Sequence, residues 1–137
     1  MVFDILIEYD VYVPGREEFI LHFASIFDRC SKLSHKSGSD VALAYLLSTE
    51  ELWPHVDKLF DFENGWINPE GLSNTGLAGG ELRLASLAFN LWNGYRGEDA
   101  PIPFTPADLL GELDSETFWL ALDAMRLRYK IKDRPWL

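Results

Sequence analysis

The sequence predicts a mainly α (α+β) fold, in which four to five helices form a compact bundle around a central apolar helix, residues 81–93, with one N-terminal strand. Three observations support this fold class. Apolar residues recur every three or four positions in several stretches, one stretch is apolar on nearly all sides, and the first residues alternate between apolar and polar. With 137 residues and 47% hydrophobic content, the chain can bury one core, which predicts a single domain over residues 1–137.

The N-terminal strand is predicted over residues 2–13. Apolar and polar side chains alternate there with the period of two that a half-buried strand shows. The apolar side consists of Phe3, Ile5, Ile7, Tyr9, Val11 and Val13. Pro14 and Gly15 then end the predicted strand.

Two helices are predicted next. The first is amphipathic and runs from Arg16 to Lys32, with Phe19, Phe23, Ile26, Phe27 and Cys30 on its buried side. After a polar loop, the second begins at Asp40, whose carboxylate can accept hydrogen bonds from the free amides of the first turn, and it continues through Leu47. Thr49 can cap a further short helix in the same way, with Pro54 near its start.

The middle of the chain combines a loop with the central helix. Residues 61–75 contain the turn-forming pairs Asn64-Gly65 and Asn68-Pro69, which predict a structured loop with one short helical turn. The central helix extends from Glu81 to Asn93, and Gly94 closes it in a left-handed conformation. Its polar residues form one narrow stripe, so we expect neighbouring helices to cover the rest; the stripe consists of Arg83, Ser86, Asn90 and Asn93.

The last third of the chain predicts one short and one long helix. Thr105 can cap the short helix, with Pro106 at its first position and Leu110 near its end. The long helix runs from Glu116 to Tyr129, with Asp114 or Ser115 as its cap.

Composition excludes several classes of function. The chain has 22 acids against 12 bases, a net charge of −10, which repels polyanions and argues against direct nucleic-acid binding. It shows no signal-peptide pattern and no apolar run of the ~18 residues that a membrane span requires. The single cysteine, Cys30, cannot form an internal disulfide, so we expect a reducing, cytoplasmic location without membrane contact.

A set of short motifs resembles a family of small bacterial proteins of unknown function. These motifs are residues 46–48, 51–53, 61–62, 67–70, 87–95 and 113–114, which read LLS, ELW, DF, INPE, LAFNLWNGY and LD. The resemblance covers residues 18–129. It implies a bacterial or phage setting and a compact helical fold, and it carries no activity.

No catalytic, cofactor or metal residues are predicted. His22, His35 and His55 match no zinc-binding spacing, and Cys30 belongs to an apolar helix face that we expect to be buried. The glycines of residues 76–80 precede a helix but lack the Lys-Ser/Thr pair of a phosphate-binding loop. The acidic pairs match no calcium-binding spacing and are explained as helix-start or loop charges.

The last helix predicts a first interaction surface. At 100° per residue, Phe118, Leu122, Met125 and Tyr129 share one arc, which we expect to face the core. The opposite arc carries an apolar patch rimmed by charges, the pattern of many protein–protein contacts; it consists of Trp119, Leu120 and Leu127 with Asp123 and Arg126. The alternative is that this second apolar group is simply another core contact.

The chain ends predict a second surface. Residues 1–13 carry the acids Asp4, Glu8 and Asp10, whereas residues 124–137 carry five bases and one acid. If residues 127–134 are extended, their bases can lie opposite those acids on a paired strand, within one chain or between two. The alternative is a basic last helical turn that complements the helix dipole, followed by a frayed tail.

Three functions remain open at this point. The leading hypothesis is a non-enzymatic protein-binding module, an inhibitor or immunity-type protein that docks onto a basic partner such as a nuclease or another nucleic-acid-binding protein. One alternative is a small hydrolase or transferase whose site combines Arg83, Asn90, Asn93 and the histidines from distant parts of the sequence. The other is a homodimeric structural module.

Overall fold

Helices form most of the structure, a computed structural model that describes residues 1–97 and 101–132. The α-helices in these ranges are α1 (Asp4–Glu8), α2 (Arg16–Arg29), α3 (Gly38–Leu47), α4 (Val56–Leu59), α5 (Gly71–Asn74), α6 (Gly79–Asn93), α7 (Pro106–Leu110) and α8 (Ser115–Tyr129). A 3₁₀ turn, Trp53–His55, precedes α4. A two-stranded antiparallel hairpin follows it, β1 (Phe60–Asp61) and β2 (Trp66–Ile67). The mainly helical bundle is therefore confirmed.

Helix α3 lies at the centre of the bundle. It packs against α2, α6 and α8, and every residue of Val41–Leu47 is at most 1% exposed. The predicted helix at 81–93 is confirmed as α6, and its apolar side is buried as expected. However, α6 keeps a partly exposed edge at Arg83, Asn90 and Asn93, so α3 is the more enclosed of the two helices.

The predicted N-terminal strand is wrong. Residues 4–8 form the one-turn helix α1, Asp10 adopts a left-handed conformation with φ of 50°, and the chain then continues without regular structure to Pro14. A strand needs a neighbouring strand to satisfy its backbone, and the only sheet in the described ranges is the hairpin of β1 and β2. The segment instead buries Leu6, Tyr9 and Val11 against the helices. We call residues 1–13 the N-terminal arm.

The predicted inner face of the last helix is also wrong. In α8 the buried side chains include Leu120, Ala121, Ala124 and Leu127, whereas Phe118 and Tyr129 are exposed. The alanines explain the choice of face, because small residues let two helices approach closely. The close approach extends to Gly38 at the start of α3, where an added Cβ would overlap the carbonyl oxygen of Arg128.

Most of the predicted helix ends are confirmed. Gly94 ends α6 with φ of 77°, the Thr105 side chain accepts from the amide of Asp108, and the Asp114 side chain accepts from the amide of Thr117. For α3 the cap is Ser37 and not Asp40. The Asp40 carboxylate instead accepts from Trp92 Nε1 at 2.8 Å, which ties α3 to α6.

The loop predicted at residues 61–75 contains more structure than expected. The Asn64-Gly65 pair does form a turn, but it joins β1 to β2, and α5 supplies the predicted helical turn. Within the described parts of the chain, no helix combines the length and the apolar character needed to cross a membrane.

Candidate functional site

Two residues of α8 and one of α3 hold the N-terminal arm on the bundle. The Asp123 carboxylate accepts from the amide of Tyr12 at 2.7 Å, and Arg126 donates to the carbonyl oxygen of Tyr9 at 2.6 Å. From α3, the Tyr45 hydroxyl donates to the carbonyl oxygen of Tyr12 at 2.5 Å. Burial raises the pKa of Tyr45, so its hydroxyl stays protonated and serves as a donor at neutral pH.

Asp123 and Arg126 form a buried ion pair one helical turn apart on α8. Their side chains are 2% and 14% exposed, and Arg126 Nη1 lies 3.0 Å from Asp123 Oδ1. Arg126 also donates to the carbonyl oxygen of Lys132 at 3.1 Å. Buried charges are stable only when they are paired and hydrogen-bonded, so the arm contributes atoms that this pair needs.

A cleft of about 620 Å³ opens where the arm meets the start of α8, and we call it the arm cleft. It is lined by Asp10, Val11, Tyr12, Ser115, Glu116, Trp119 and Asp123. Trp119 is 52% exposed and Tyr12 is 40% exposed, so two aromatic side chains are accessible here. The Tyr12 hydroxyl donates to Glu116 Oε1 at 3.1 Å, which places a carboxylate beside the aromatic pair.

Carboxylates dominate the electrostatics of the arm cleft. Loss of hydration raises the pKa of Tyr12, and the neighbouring carboxylates of Glu116 and Glu51 raise it further. The pKa of the half-buried Glu51 is also raised, first by burial and then by the negative charges of Glu116, Glu50 and Glu81. Such mutual repulsion among carboxylates means that a cation bound at this end of the molecule would be stabilised.

The structure separates the residues of the first predicted surface. Trp119 is exposed in the arm cleft, but Leu120 and Leu127 are at most 2% exposed and belong to the core. Asp123 and Arg126 bind each other and the arm, so their charged groups face inward and not toward a partner. The core-contact alternative therefore describes Leu120 and Leu127, and only Trp119 remains available to a partner.

The chain ends meet, although not as paired strands. Glu8 forms an ion pair with Lys132, whose ammonium group also lies 5.3 Å from the centre of the Tyr9 ring. Residues up to Tyr129 are helical, so the predicted strand pairing is wrong, while the predicted proximity within one chain is confirmed. Asp10 lines the arm cleft, and Asp4 contacts the N-terminal amine. The predicted contribution of Arg134 lies outside the described residues.

Sequence reasoning missed the roles of Tyr12, Tyr45 and Glu116. One signal existed for Tyr45, since a buried tyrosine needs a partner for its hydroxyl and this residue stands in an otherwise apolar helix. No comparable signal marked Tyr12 or Glu116, because they lie 104 positions apart in the sequence and meet only through the fold.

The residues of the enzymatic alternative do not form one site. His22 stacks on Trp53 with ring centroids 4.0 Å apart, whereas His35 lies edge-on to Phe27. Asn90 donates to the carbonyl oxygen of Tyr95, a contact that secures the end of α6. Among the described residues, no group of three or more His, Cys, Asp or Glu side chains could hold a metal ion.

Arg83, also part of that alternative, is used in packing α6 against α7. It donates to the carbonyl oxygen of Asp108 at 2.9 Å and forms an ion pair with Glu112. The guanidinium group of Arg83 therefore binds other parts of the protein and holds α6 and α7 together. Cys30 is 2% exposed, as its position on the apolar face of α2 predicted.

A second cleft of about 580 Å³ lies beside the hairpin, where Trp66 is exposed. Its polar groups already bind one another: Arg29 pairs with Asp57, and the Asp61 carboxylate accepts from Asn64 Nδ2 at 2.7 Å. Arg29 also covers the ring of Phe62, 3.8 Å from its centre. The charged residues that line the arm cleft are all acidic, namely Asp10, Glu116 and Asp123, and two exposed aromatic side chains lie beside them.

Residues 17–134 match the model of a family of unknown function, DUF6075. The chain belongs to this family. The resemblance inferred from the short motifs is thus confirmed, and the matched region begins at the second residue of α2, extends past α8 and excludes the N-terminal arm. No curated protein and no solved structure matches the chain.

Proposed function

We propose that the protein is a non-enzymatic binding module and that a basic segment of another protein occupies its arm cleft. The observation that carries this proposal is the exposure of Trp119 and Tyr12 beside the Glu116 carboxylate. A lysine or arginine side chain placed there gains a cation–π contact with an aromatic ring and a charged hydrogen bond to the carboxylate.

The overall charge supports the same partner chemistry. A protein with a net charge of −10 attracts basic surfaces at long range and accelerates their association. A basic nuclease or another nucleic-acid-binding protein has such a surface, so we propose the role of an inhibitor or immunity-type protein. The family match adds no activity; for this role we propose a protein of bacterial or phage origin that acts in the bacterial cytoplasm.

Affinity purification from the native host, at low and raised salt, tests the proposal. We expect the wild-type protein to capture a basic protein at low salt and to lose most of it as salt screens the charges. Trp119→Ala should reduce capture at least tenfold, since an exposed central tryptophan is the type of residue that dominates binding energy. Trp66→Ala is the matched control, because Trp66 is exposed to a similar extent, 57% against 52%, but lies on the hairpin.

Two outcomes would count against this function. Capture that is unchanged by salt would mean that charge does not guide docking. A large drop in melting temperature for Trp119→Ala, with unchanged capture per folded molecule, would mean that Trp119 stabilises the fold and takes no part in binding.

A further inference from the structure

The bundle recognises the arm largely through the arm's main chain. Asp123, Arg126 and Tyr45 all bind peptide groups of Tyr9 and Tyr12, at 2.5–2.7 Å. With the arm in place, Asp123 and Tyr45 are at most 2% exposed, so the peptide groups of the arm are their hydrogen-bond partners in place of water. An unsatisfied buried polar group destabilises a protein, and a charged one does so more strongly, so this groove favours a peptide segment in it.

The same groove also selects the side chains of the arm. Leu6, Tyr9 and Val11 are 3%, 6% and 8% exposed, and they join the main core of the protein. Glu8 adds an ion pair with Lys132 at the end of α8. The segment that fits all of these contacts is therefore residues 6–12 of this chain, and every copy of the protein carries one.

The connection between arm and bundle is short and open. Pro14 and Gly15 link the arm to α2, and Gly15 is exposed with φ of 61°. An added Cβ on Gly15 would have no heavy atom within 4 Å, so the backbone is unpacked on that side. A change of dihedral angles at this glycine can redirect the arm without altering any contact inside the groove.

We propose that two copies of the protein exchange their N-terminal arms, each arm filling the groove of the other copy. The bonds of Asp123, Arg126 and Tyr45 are then the same as in the monomer but are made to the second copy. Because Tyr12 belongs to the arm and Trp119 to the bundle, each arm cleft in the dimer contains residues of both copies. This proposal stands apart from the proposed function, since exchange uses the groove and docking uses the cleft.

Salt distinguishes the two proposals. Two copies that each carry a charge of −10 repel one another, so screening by salt should favour the exchanged dimer. Docking of a basic partner should respond in the opposite direction. Failure of either proposal can thus be recognised without reference to the other.

Light scattering on the purified full chain tests arm exchange. The wild-type protein is concentrated in mild denaturant, which releases the arm, and is then returned to buffer at low and at high salt. We expect a species of twice the monomer mass that increases with salt and survives dilution for hours. A protein that remains monomeric under all of these conditions would overturn the proposal.

Deletion of Pro14 and Gly15 sharpens the test. Removing two residues shortens the connection by up to ~7 Å, so the arm can no longer reach its own groove and should enter that of a second copy. We expect this deletion variant to be dimeric. A second variant, with Gly-Ser inserted after Gly15 of the wild-type chain, should form no more dimer than the wild-type protein does. A folded, monomeric deletion variant would contradict exchange.

Trp119→Ala separates exchange from simple face-to-face contact. Trp119 makes no bond to the arm's main chain, so the exchanged dimer should persist at least at half its wild-type fraction. A wild-type dimer that Trp119→Ala abolishes would be a contact through the arm cleft, and exchange would then be rejected.

Discussion

Asp123 shows how one buried carboxylate organises several segments of the chain. It accepts from the Tyr12 amide and pairs with Arg126, which in turn binds the carbonyl oxygens of Tyr9 and Lys132. The geometry leaves Arg126 Nε as a buried nitrogen without a hydrogen-bond partner among the described residues. Loss of the Asp123 carboxylate would therefore leave the buried Arg126 charge without its counter-ion.

Replacement of this carboxylate should destabilise the protein strongly. Asp123→Ala leaves the Arg126 guanidinium buried without its counter-ion, and breaking a buried pair in this way costs about 3–5 kcal/mol. The free energy of unfolding, measured with urea, checks this expectation. Asp28→Ala on α2 is a suitable control, since Asp28 is exposed and its loss should change stability by no more than about 0.5 kcal/mol. Equal effects of the two substitutions would contradict the role given to Asp123.

The Glu51 carboxylate destabilises the folded protein at neutral pH, whereas the Asp123 carboxylate stabilises it. Its pKa in the folded protein is raised above 4.5, so the folded state binds the proton more tightly than the unfolded state does. Ionisation above that raised pKa therefore costs stability, and stability returns as pH falls through it. We expect Glu51→Gln to raise the melting temperature at pH 7.

The pH dependence provides the check on Glu51. The gain from Glu51→Gln should disappear below pH 4.5, where the wild-type carboxyl is protonated in both states. Thermal unfolding of both proteins over this pH range measures the difference. Glu63→Gln is the control for general charge removal, since Glu63 is exposed and is not among the carboxylates that raise the pKa of Glu51. A gain that is constant over all pH values would show that burial of the Glu51 charge is not its cause.

At the level of elements, the contact between α3 and α8 depends on small residues. Ala121 and Ala124 lie on the buried face of α8, and Gly38 begins α3 where the Arg128 carbonyl approaches it. This contact explains why the inner face of α8 was predicted wrongly. The sequence prediction placed Phe118 and Tyr129 in the core because they are large and apolar. Two helices that pack closely, however, exclude bulky side chains from the line along which they touch.

Gly38→Ala tests the closeness of this contact. The added methyl group overlaps the carbonyl oxygen of Arg128, so α3 and α8 must shift, at a cost of about 1–3 kcal/mol. Gly80→Ala is the matched control on α6, since its Cβ would lie 3.7 Å from the nearest atom, an ordinary contact. That substitution should stabilise the protein by about 0.4–1 kcal/mol through the unfolded state. Unfolding in denaturant measures the stability of both variants. Equal stabilities would show that α3 and α8 can accommodate a methyl group at Gly38 without shifting.

The arm illustrates an element that local pattern could not assign. Alternation from Phe3 to Val13 satisfies the strand template, yet one helical turn also brings Leu6 and Tyr9 to the same side. The choice between them depends on whether a partner strand exists, and that information lies outside the segment. By contrast, Gly94, Thr105 and Asp114 fix helix ends through local backbone chemistry, so these ends could be predicted.

For the whole molecule, burial is concentrated around α3 and thins toward the arm. The sequence predicted α6 as the central helix, but α3 is the more enclosed of the two, because the burial of apolar helices cannot be compared until their neighbours are known. The candidate site was harder still. Trp119 was identified as a surface residue, but its companions Tyr12 and Glu116 come together only after the arm folds onto α8.

Hydrogen exchange should reproduce this gradient of burial. We expect the amides of Val41–Leu47 to exchange only on global unfolding, and those of α1 to exchange several orders of magnitude faster through local release of the arm. Peptide-resolved exchange followed by mass spectrometry measures both in one sample, with α6 as the internal reference. Equal protection in α1 and α3 would mean that arm and bundle open as one unit.

The buried sulfur of Cys30 has a practical consequence. The chain contains one cysteine, and its Sγ lies under the turn at Gly65, 3.4 Å from where a side chain would begin there. A thiol-specific dye therefore reacts once per molecule, and only after a motion of the protein, such as lifting of the hairpin, exposes this sulfur. The rate of dye incorporation in native buffer reports how often Cys30 becomes exposed, with no engineered label and no second thiol.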